Sequence, residues 1–422
     1  MLGKGKFTLL QITYFISLCF FYRYVVFPFY MYTGYFSNQF SYGRLAGAIF
    51  VVCVCLGIHN CIKGNFYRIT IEGMMFFMII PSIVFIIFNE ISFATIIIQM
   101  IPILGLLIVS RRDNGKRWNR KTIALNNQNI IFIFYVLLVM MVPFYLKLDT
   151  VNLGNLLFKD VYDARAIYSG SLYLGYMAAP LSKIFLPILT IHAIDNKKRF
   201  LLWFALFNIC VVYLTTGAQK DVLIGIVLII ICYVISIKKN YSNCINYITL
   251  GITALIMLCT ILFVFYNELF ISTYLRRLLF VAPALAGMYY NYFSQNSYTY
   301  YSHTRIGSIL LGDEERFILT RWAGVEIVGT GTNANIGVFL EGYISFGFIG
   351  VVLSTIGFCF ICYMINKMDI NKKYVGLWVA TLYLFNFSLM DVLLLTHGLL
   401  ALLFVFYFIV PKNNYSLKED ER

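Results

Sequence analysis

The feature that most limits what this chain can fold into is the repetition of long apolar runs along its 422 residues. Hydrophobic residues make up 60% of the chain and charged residues only 12%. Each run has about the length needed to cross a hydrocarbon core of roughly 30 Å. Because backbone polar groups in lipid must be paired within the segment, runs of this length predict helices. The pattern predicts an all-α, polytopic helical integral membrane protein and excludes a water-soluble globule.

The apolar runs predict about twelve transmembrane helices within a single polytopic membrane domain that covers residues 1–422. The first run lacks the small-residue cleavage site of a signal peptide, so we expect it to be retained as a span. The predicted spans are residues 8–28, 45–62, 72–88, 91–110, 129–147, 171–193, 200–216, 221–238, 246–266, 343–366, 374–390 and 393–410.

Basic residues between the spans set the expected orientation. Four basic connections, at 111–121, 195–199, 237–240 and 366–373, fall on one side of a twelve-span chain. Both termini fall on that side too. Since Lys and Arg concentrate in cytoplasmic loops, this side is predicted to be cytoplasmic. These loops also explain the formal charge of +14, so we expect no nucleic-acid partner.

Two long connections are predicted on the outer face. The first covers residues 149–170, and the second is a large outer loop at 267–342, between spans nine and ten. Loops of this length in a compact protein are usually functional or disordered. Their content of Tyr, Phe and Leu argues against disorder. We therefore expect the functional residues on the outer face.

The stretch RRLLFVAPALAG, at 276–287, opens the large outer loop. Residues 278–290 are apolar for only about 13 positions and contain Pro283, which predicts a re-entrant or interfacial helix. Arg276 and Arg277 then lie near the depth of the lipid headgroups. Two interpretations stay open: both side chains reach bulk lipid phosphates, or at least one binds the phosphate of a lipid-linked substrate.

Further candidates for binding a substrate phosphate come from the same side of the membrane. Arg165 lies in the first long connection, and Lys220 lies in the turn between spans seven and eight. Lys183 lies within span six, where a charge is costly and is either functional or part of a structural ion pair. Possible further contacts within the large loop are Arg305, Arg321 and Asn333.

Three residues of the large loop are candidates for a general base. His303 is the only histidine in an outer loop, and its ordinary pKa near neutrality suits proton transfer. Glu326 and Glu341 are the alternatives. Each acid can instead form a structural pair with a nearby arginine, and His303 can be a surface residue without a role. No metal-ligand spacing and no nucleotide-binding loop occurs, so we expect no metal and no cofactor.

The arrangement resembles the Wzy-type polymerases of O-antigen and related oligosaccharide repeat units. The resemblance lies in the many spans, the large late outer loop and three local stretches. Arg276 and Gly287 also fit the family's spacing of an arginine and a glycine with ten residues between them, whereas Arg165 and Arg321 meet a glycine one residue early. The three stretches are TTGAQKDVLIG, TYLRRLLFVAPALAGMYYNYF and GTNANIGVFLEGYISFGFIG.

This resemblance implies a glycosyltransferase on the outer face of the bacterial cytoplasmic (inner) membrane. It would transfer a growing glycan from undecaprenyl diphosphate to a lipid-linked repeat unit. The implied partners are undecaprenyl-diphosphate-linked oligosaccharide, membrane lipid, and a chain-length regulator and flippase of the same pathway. The alternatives are an O-antigen ligase and a repeat-unit flippase or other transporter. A flippase would be expected to have short outer loops and charges along its spans, which is the opposite of this pattern.

The residue roles follow from the chemistry that the resemblance implies. The acceptor hydroxyl attacks the anomeric carbon while the diphosphate departs. That step needs positive charge on the leaving group and a base near the acceptor. The candidates for the diphosphate are Arg165, Lys220, Arg276 and Arg277, and those for the base are His303, Glu326 and Glu341.

Overall fold

The computed structural model describes residues 4–122, 127–148, 172–216, 220–269, 271–311, 317–331 and 333–413. Over these ranges the chain is predominantly helical, which confirms the all-α prediction. The α-helices in chain order are α1 Lys4–Phe21, α2 Phe27–Tyr30, α3 Tyr42–Cys61, α4 Asn65–Met74, α5 Ile80–Phe88, α6 Ala94–Arg112, α7 Asn127–Tyr145, α8 Leu172–Pro180, α9 Leu186–Asp195, α10 Arg199–Thr215, α11 Lys220–Lys238, α12 Cys244–Tyr266, α13 Ser272–Leu279, α14 Val281–Phe293, α15 Arg305–Leu311, α16 Leu319–Glu326, α17 Val338–Met368, α18 Val375–Leu384 and α19 Leu399–Phe408.

Within the described ranges, seven helical segments are long and apolar enough to cross a membrane. Each of the predicted spans overlaps one or more of the helices. The chain is therefore an all-α, multi-pass membrane protein. The seven segments are Gly5–Thr33, Tyr42–Cys61, Asn65–Phe88, Ala94–Arg112, Leu174–Asp195, Tyr241–Tyr266 and Val338–Met368. Shorter apolar helices are Ile133–Tyr145, Arg199–Thr215, Val222–Lys238 and Leu399–Phe408.

Three of the long segments contain a five-residue π-helical turn just before a proline. A proline has no N–H to donate and its ring collides with the carbonyl four residues earlier, so the helix widens locally. At Pro81 the affected carbonyl belongs to Phe77, and the Asn386 side chain donates to it at 3.1 Å. An amide from a distant part of the chain thus donates to the carbonyl whose i→i+4 partner the proline removes.

The first of two compact units consists of residues 1–114, 242–363 and 382–390. In this unit the connection after α2 is fixed against the end of α5. Gln39 N donates to the Phe88 carbonyl at 2.8 Å, and both the N–H and the hydroxyl of Ser37 donate to Asn89 Oδ1 at 2.9 Å. Asn89 Nδ2 in turn donates to the Tyr22 hydroxyl at 2.7 Å. These bonds hold two predicted outer connections together.

Helix α17 is not a straight rod. Phe346 and Gly347 leave helical geometry, and Gly347 has φ +60°. A Cβ on Gly350 would lie 1.9 Å from the Gly342 carbonyl oxygen, so these two glycines are in contact. In a straight helix, eight residues would separate them by about 12 Å along the axis. The chain therefore reverses at residues 346–347, and the segments on either side pack against each other.

The second unit consists of residues 115–241, 364–381 and 391–422. Arg120 is buried here and donates to three carbonyls, those of Met368 at 2.6 Å, Tyr407 at 2.9 Å and Val410 at 2.8 Å. Elsewhere in the unit, Lys373 pairs with Asp195 at 2.5 Å. Both contacts join segments that the charge pattern predicts to be cytoplasmic.

Candidate functional site

Three segments of the first unit enclose a cleft of about 240 Å³. They are residues 34–39, residues 89–91 and helix α14. All three come from connections that the sequence predicts on the outer face. Helix α14 comes close because it has no side chain at Gly287, where a Cβ would lie 2.3 Å from Ile91 Cδ1. Exposed polar side chains at the cleft include Gln39, Glu90 and Asn291.

Arg276 lies beside this cleft and is only 8% exposed. Its guanidinium lies 4.2 Å from the centroid of the Tyr30 ring and 5.7 Å from that of Phe36, which lines the cleft. Its Nε is buried and has no hydrogen-bond partner among the described residues. No carboxylate of the described part of the chain pairs with it. Burial is the main effect that lowers the pKa of this guanidinium below its usual range.

The neighbouring Arg277 has a different environment. It is exposed, whereas Leu275, Arg276 and Leu279 on the same helix are buried. Successive residues of a helix point about 100° apart, so only one of two adjacent arginines can share the buried face. The sequence predicts that both lie at the same depth, near the headgroups. The structure shows that they differ in burial within the protein, since Arg276 is buried among aromatic rings and Arg277 is exposed.

His303 and Glu341, predicted as alternative bases, form one buried pair. His303 Nε2 lies 3.2 Å from Glu341 Oε1, and each residue is 1% exposed. The other carboxylate oxygen accepts from the Met390 backbone N–H at 2.6 Å. His303 Nδ1 lies 3.2 Å from the Thr299 hydroxyl. Both ring nitrogens and both carboxylate oxygens therefore have partners, and the pair joins the large loop to the first segment of α17.

The turn before His303 is held against the reversal in α17 by backbone hydrogen bonds. Thr299 N donates to the Ile344 carbonyl at 2.9 Å, and Tyr300 N donates to that of Ser345 at 3.1 Å. Burial raises the pKa of the Tyr301 hydroxyl, while hydrogen bonding to Ser354 and Ser345 opposes the increase. Tyr300 and Tyr301 both have positive φ, at 50° and 60°. Since such backbone is unusual for tyrosine, the tertiary contacts must hold this turn in place.

Of the remaining predicted residues, four have side chains within the described part of the chain. Lys183 is buried in the second unit, with its Nζ 3.1 Å from His397 Nδ1. Arg165 lies outside the described residues, as do the side chains of Lys220 and Arg305. The structure places the other three on exposed positions of the first unit: Arg321, Glu326 and Asn333.

Several residues of the site are not predicted from the sequence. Tyr30 and Phe36 come from the first outer connection, and no local pattern links them to Arg276. Glu72 is not part of this site, but it too is not predicted: it begins a predicted span and is 1% exposed, with Oε1 2.9 Å from His59 Nε2. Its acidic character within an apolar helix is a signal that could have identified it, because such residues are rare in spans.

No protein-family model, curated protein or solved structure matches this chain. A function is therefore inferred from the residues of this protein itself. The unpaired Arg276 and the His303–Glu341 pair point to it most directly, and both lie on segments predicted to face the outside.

Proposed function

We propose that the protein is a polymerase of lipid-linked oligosaccharide repeat units. It would transfer a growing glycan from undecaprenyl diphosphate to a lipid-linked repeat unit on the outer face of the bacterial cytoplasmic membrane. The proposal includes twelve spans, cytoplasmic termini and an outer loop between spans nine and ten. It rests on the resemblance to the Wzy-type polymerases and on the geometry of Arg276.

The observation that carries the proposal is the environment of Arg276. A buried charge without a partner is costly, so proteins usually pair it. Here the partners are the faces of Tyr30 and Phe36, which leave the hydrogen-bonding edge of the guanidinium available. That edge matches the geometry of phosphate oxygens. A diphosphate at this position would supply the missing counter-charge, and Arg276 would stabilise it as the leaving group.

The proposed topology is supported by the contacts within each unit. In the first unit, predicted outer segments contact each other, as between Ser37 and Asn89 and between Glu341 and Met390. In the second unit, predicted cytoplasmic segments do so, as between Arg120 and Val410. Contacts of this kind are expected if the basic loops share one face of the membrane.

We assign the His303–Glu341 pair a positioning role. Both residues are buried and both ring nitrogens of His303 already have partners, so neither reaches a substrate in this conformation. The pair instead fixes the turn that carries Tyr300 and Tyr301. Glu326 is exposed and stays the candidate for a base that contacts the acceptor.

The proposal is tested by deleting the gene in its native host and restoring variants. The deletion strain should carry surface lipid with a single repeat unit, and Arg276→Ala should shorten the polymer at normal protein levels. Arg277→Ala, an exposed arginine on the same helix, is the matched control and should have the smaller effect. Long polymer in the deletion strain would refute the proposal. Surface lipid without any attached unit would favour a ligase, and units trapped inside would favour a flippase.

A further inference from the structure

A second cleft of the first unit lies between helices α6 and α17 and has a volume of about 440 Å³. Its walls are apolar and outward-facing: Ile108 is 54% exposed, and Ile356 and Phe360 are each 60% exposed. In a membrane protein such surfaces contact lipid. The cleft differs from an ordinary lipid-facing surface in two polar features, one at its mouth and one at its base.

The mouth of the cleft carries Arg112 and Asp113, at the end of α6. Arg112 is exposed and forms no hydrogen bond or ion pair with a described residue. The carboxylate of Asp113 accepts a hydrogen bond from the Tyr67 hydroxyl at 3.0 Å. Asp113 is thus engaged, and Arg112 is the charge at the mouth that an anion can bind, whereas Arg111 does not line the cleft. Basic pockets between membrane helices on the cytoplasmic side are typical sites for anionic lipid headgroups.

The base of the cleft contains Thr355, which is 6% exposed and whose hydroxyl has no hydrogen-bond partner among the described residues. This is unusual in this chain. The hydroxyls of Thr70, Thr249 and Thr253 each donate to the carbonyl four residues earlier, at 2.7–3.0 Å. A buried hydroxyl without a partner costs about 1–3 kcal/mol. Thr355 lines the cleft, but its Oγ1 is enclosed in the present rotamer. Rotation about χ1 would bring this unused donor to a group inside the cleft.

The spacing of the two polar features fits one molecule. Thr355 lies level with Gly105, where an added Cβ would come within 2.7 Å of Thr355 Cγ2. Arg112 follows Gly105 by seven residues, or about 10 Å along the helix. Helical side chains lean toward the N-terminus of their helix, so the Arg112 guanidinium leans toward Thr355. A glycerophospholipid has its ester carbonyls several bonds below its phosphate, on the side of the membrane core.

We propose that this cleft is a binding site for an anionic glycerophospholipid. The phosphate binds Arg112, an ester carbonyl accepts a hydrogen bond from the Thr355 hydroxyl, and the acyl chain packs on Ile108, Ile356 and Phe360. The site is separate from the outer cleft beside Arg276 and is independent of the proposed polymerase activity.

Native mass spectrometry of the detergent-purified protein, titrated with phosphatidylglycerol or with phosphatidylcholine of the same acyl chains, tests the headgroup contact. The wild type should retain phosphatidylglycerol more strongly. Arg112→Gln should weaken its binding about tenfold, as expected for the loss of a charge-assisted hydrogen bond. Arg111→Gln is the matched control and should stay within about twofold. Equal retention of the two lipids, or equal effects of the two variants, would overturn the site.

The ester contact is tested with an ether-linked phosphatidylglycerol, which has no ester carbonyl. Wild-type protein should bind the ester lipid about fivefold more tightly than the ether lipid. Thr355→Val, which keeps the side-chain shape, should bind both equally. A Thr355→Val protein that still prefers the ester lipid would exclude the hydroxyl as a ligand.

Filling the cleft gives a test that depends on neither polar group. Ile356→Trp should reduce phosphatidylglycerol binding about tenfold by occupying the volume of the chain. Leu353→Trp is the control, since Leu353 is 53% exposed on the same helix and does not line the cleft. Equal retention by both tryptophan variants would show that the lipid binds elsewhere.

Discussion

Replacing Glu341 by alanine should destabilise the protein much more than replacing it by glutamine. In the wild type, Glu341 Oε1 lies 3.2 Å from His303 Nε2, and Oε2 lies 2.6 Å from the Met390 backbone N. The alanine variant leaves both donors without an acceptor. A buried polar group that loses its partner costs about 1–3 kcal/mol, so the two together cost about 2–6 kcal/mol. Glutamine keeps an oxygen for Met390, and His303 Nε2 can accept its N–H once the imidazole takes the other tautomer and Nδ1–H donates to the Thr299 hydroxyl. Its cost should therefore stay below about 1.5 kcal/mol.

The free energy of unfolding, measured by titrating the protein in mild detergent with sodium dodecyl sulfate, distinguishes these cases. Glu326→Ala is the control, because this acid is exposed in the same loop and should change stability by less than about 0.5 kcal/mol. If Glu341→Ala and Glu341→Gln unfold at the same detergent fraction, the carboxylate does not hold the loop, and its positioning role is refuted.

Two further predictions concern stability. Gly350→Ala should lower the free energy of unfolding by about 1–3 kcal/mol, because the new methyl group collides with the Gly342 carbonyl. Gly251→Ala is the control and should not lower it, because the added Cβ meets open space. Equal detergent titrations of the two variants would contradict the glycine contact. Burial raises the pKa of the Asp369 carboxyl in the folded protein, despite nearby cations. The protonated carboxyl therefore stabilises the fold fully below its unfolded pKa of about 4, and this stabilisation is lost as the pH rises through the higher pKa of the folded state. Asp369→Asn should therefore be more stable than the wild type at pH 8 and equal to it at pH 4, and parallel unfolding curves at both pH values would contradict the shift.

The helices could be predicted from the sequence because the apolar runs encode them directly. The predicted span at 246–266 differs from helix α12 by two residues at its start and none at its end. The reversal at Phe346 and Gly347 could not be predicted in the same way. The apolar run continues through it without a charged residue, and a hydropathy pattern does not show where a helix reverses direction. Gly347 permits the turn, because glycine adopts a positive φ without strain, but a glycine in an apolar run does not by itself predict one.

The candidate site could be predicted as a set of residues but not as an arrangement. His303 and Glu341 each stand out by residue type in the large loop, yet their pairing depends on the packing of the loop against α17. Arg276 stands out by its charge, but its aromatic partners Tyr30 and Phe36 come from the opposite end of the chain. Contacts between such distant segments leave no periodic pattern in a single sequence.

The contact between Gly342 and Gly350 has a consequence for how this part of the chain can vary in length. The two glycines meet only because a fixed number of residues leads from one, through the turn, to the other. One inserted or deleted residue within either helical segment would rotate the following positions by about 100° around the helix axis. The side chain of a bulky neighbour, such as Phe348 or Ile349, would then point at the opposite segment where Gly350 now has none, and the two segments could not pack as closely. The segment can accept substitutions at its lipid-facing positions, but its residue count is fixed by the glycine pair.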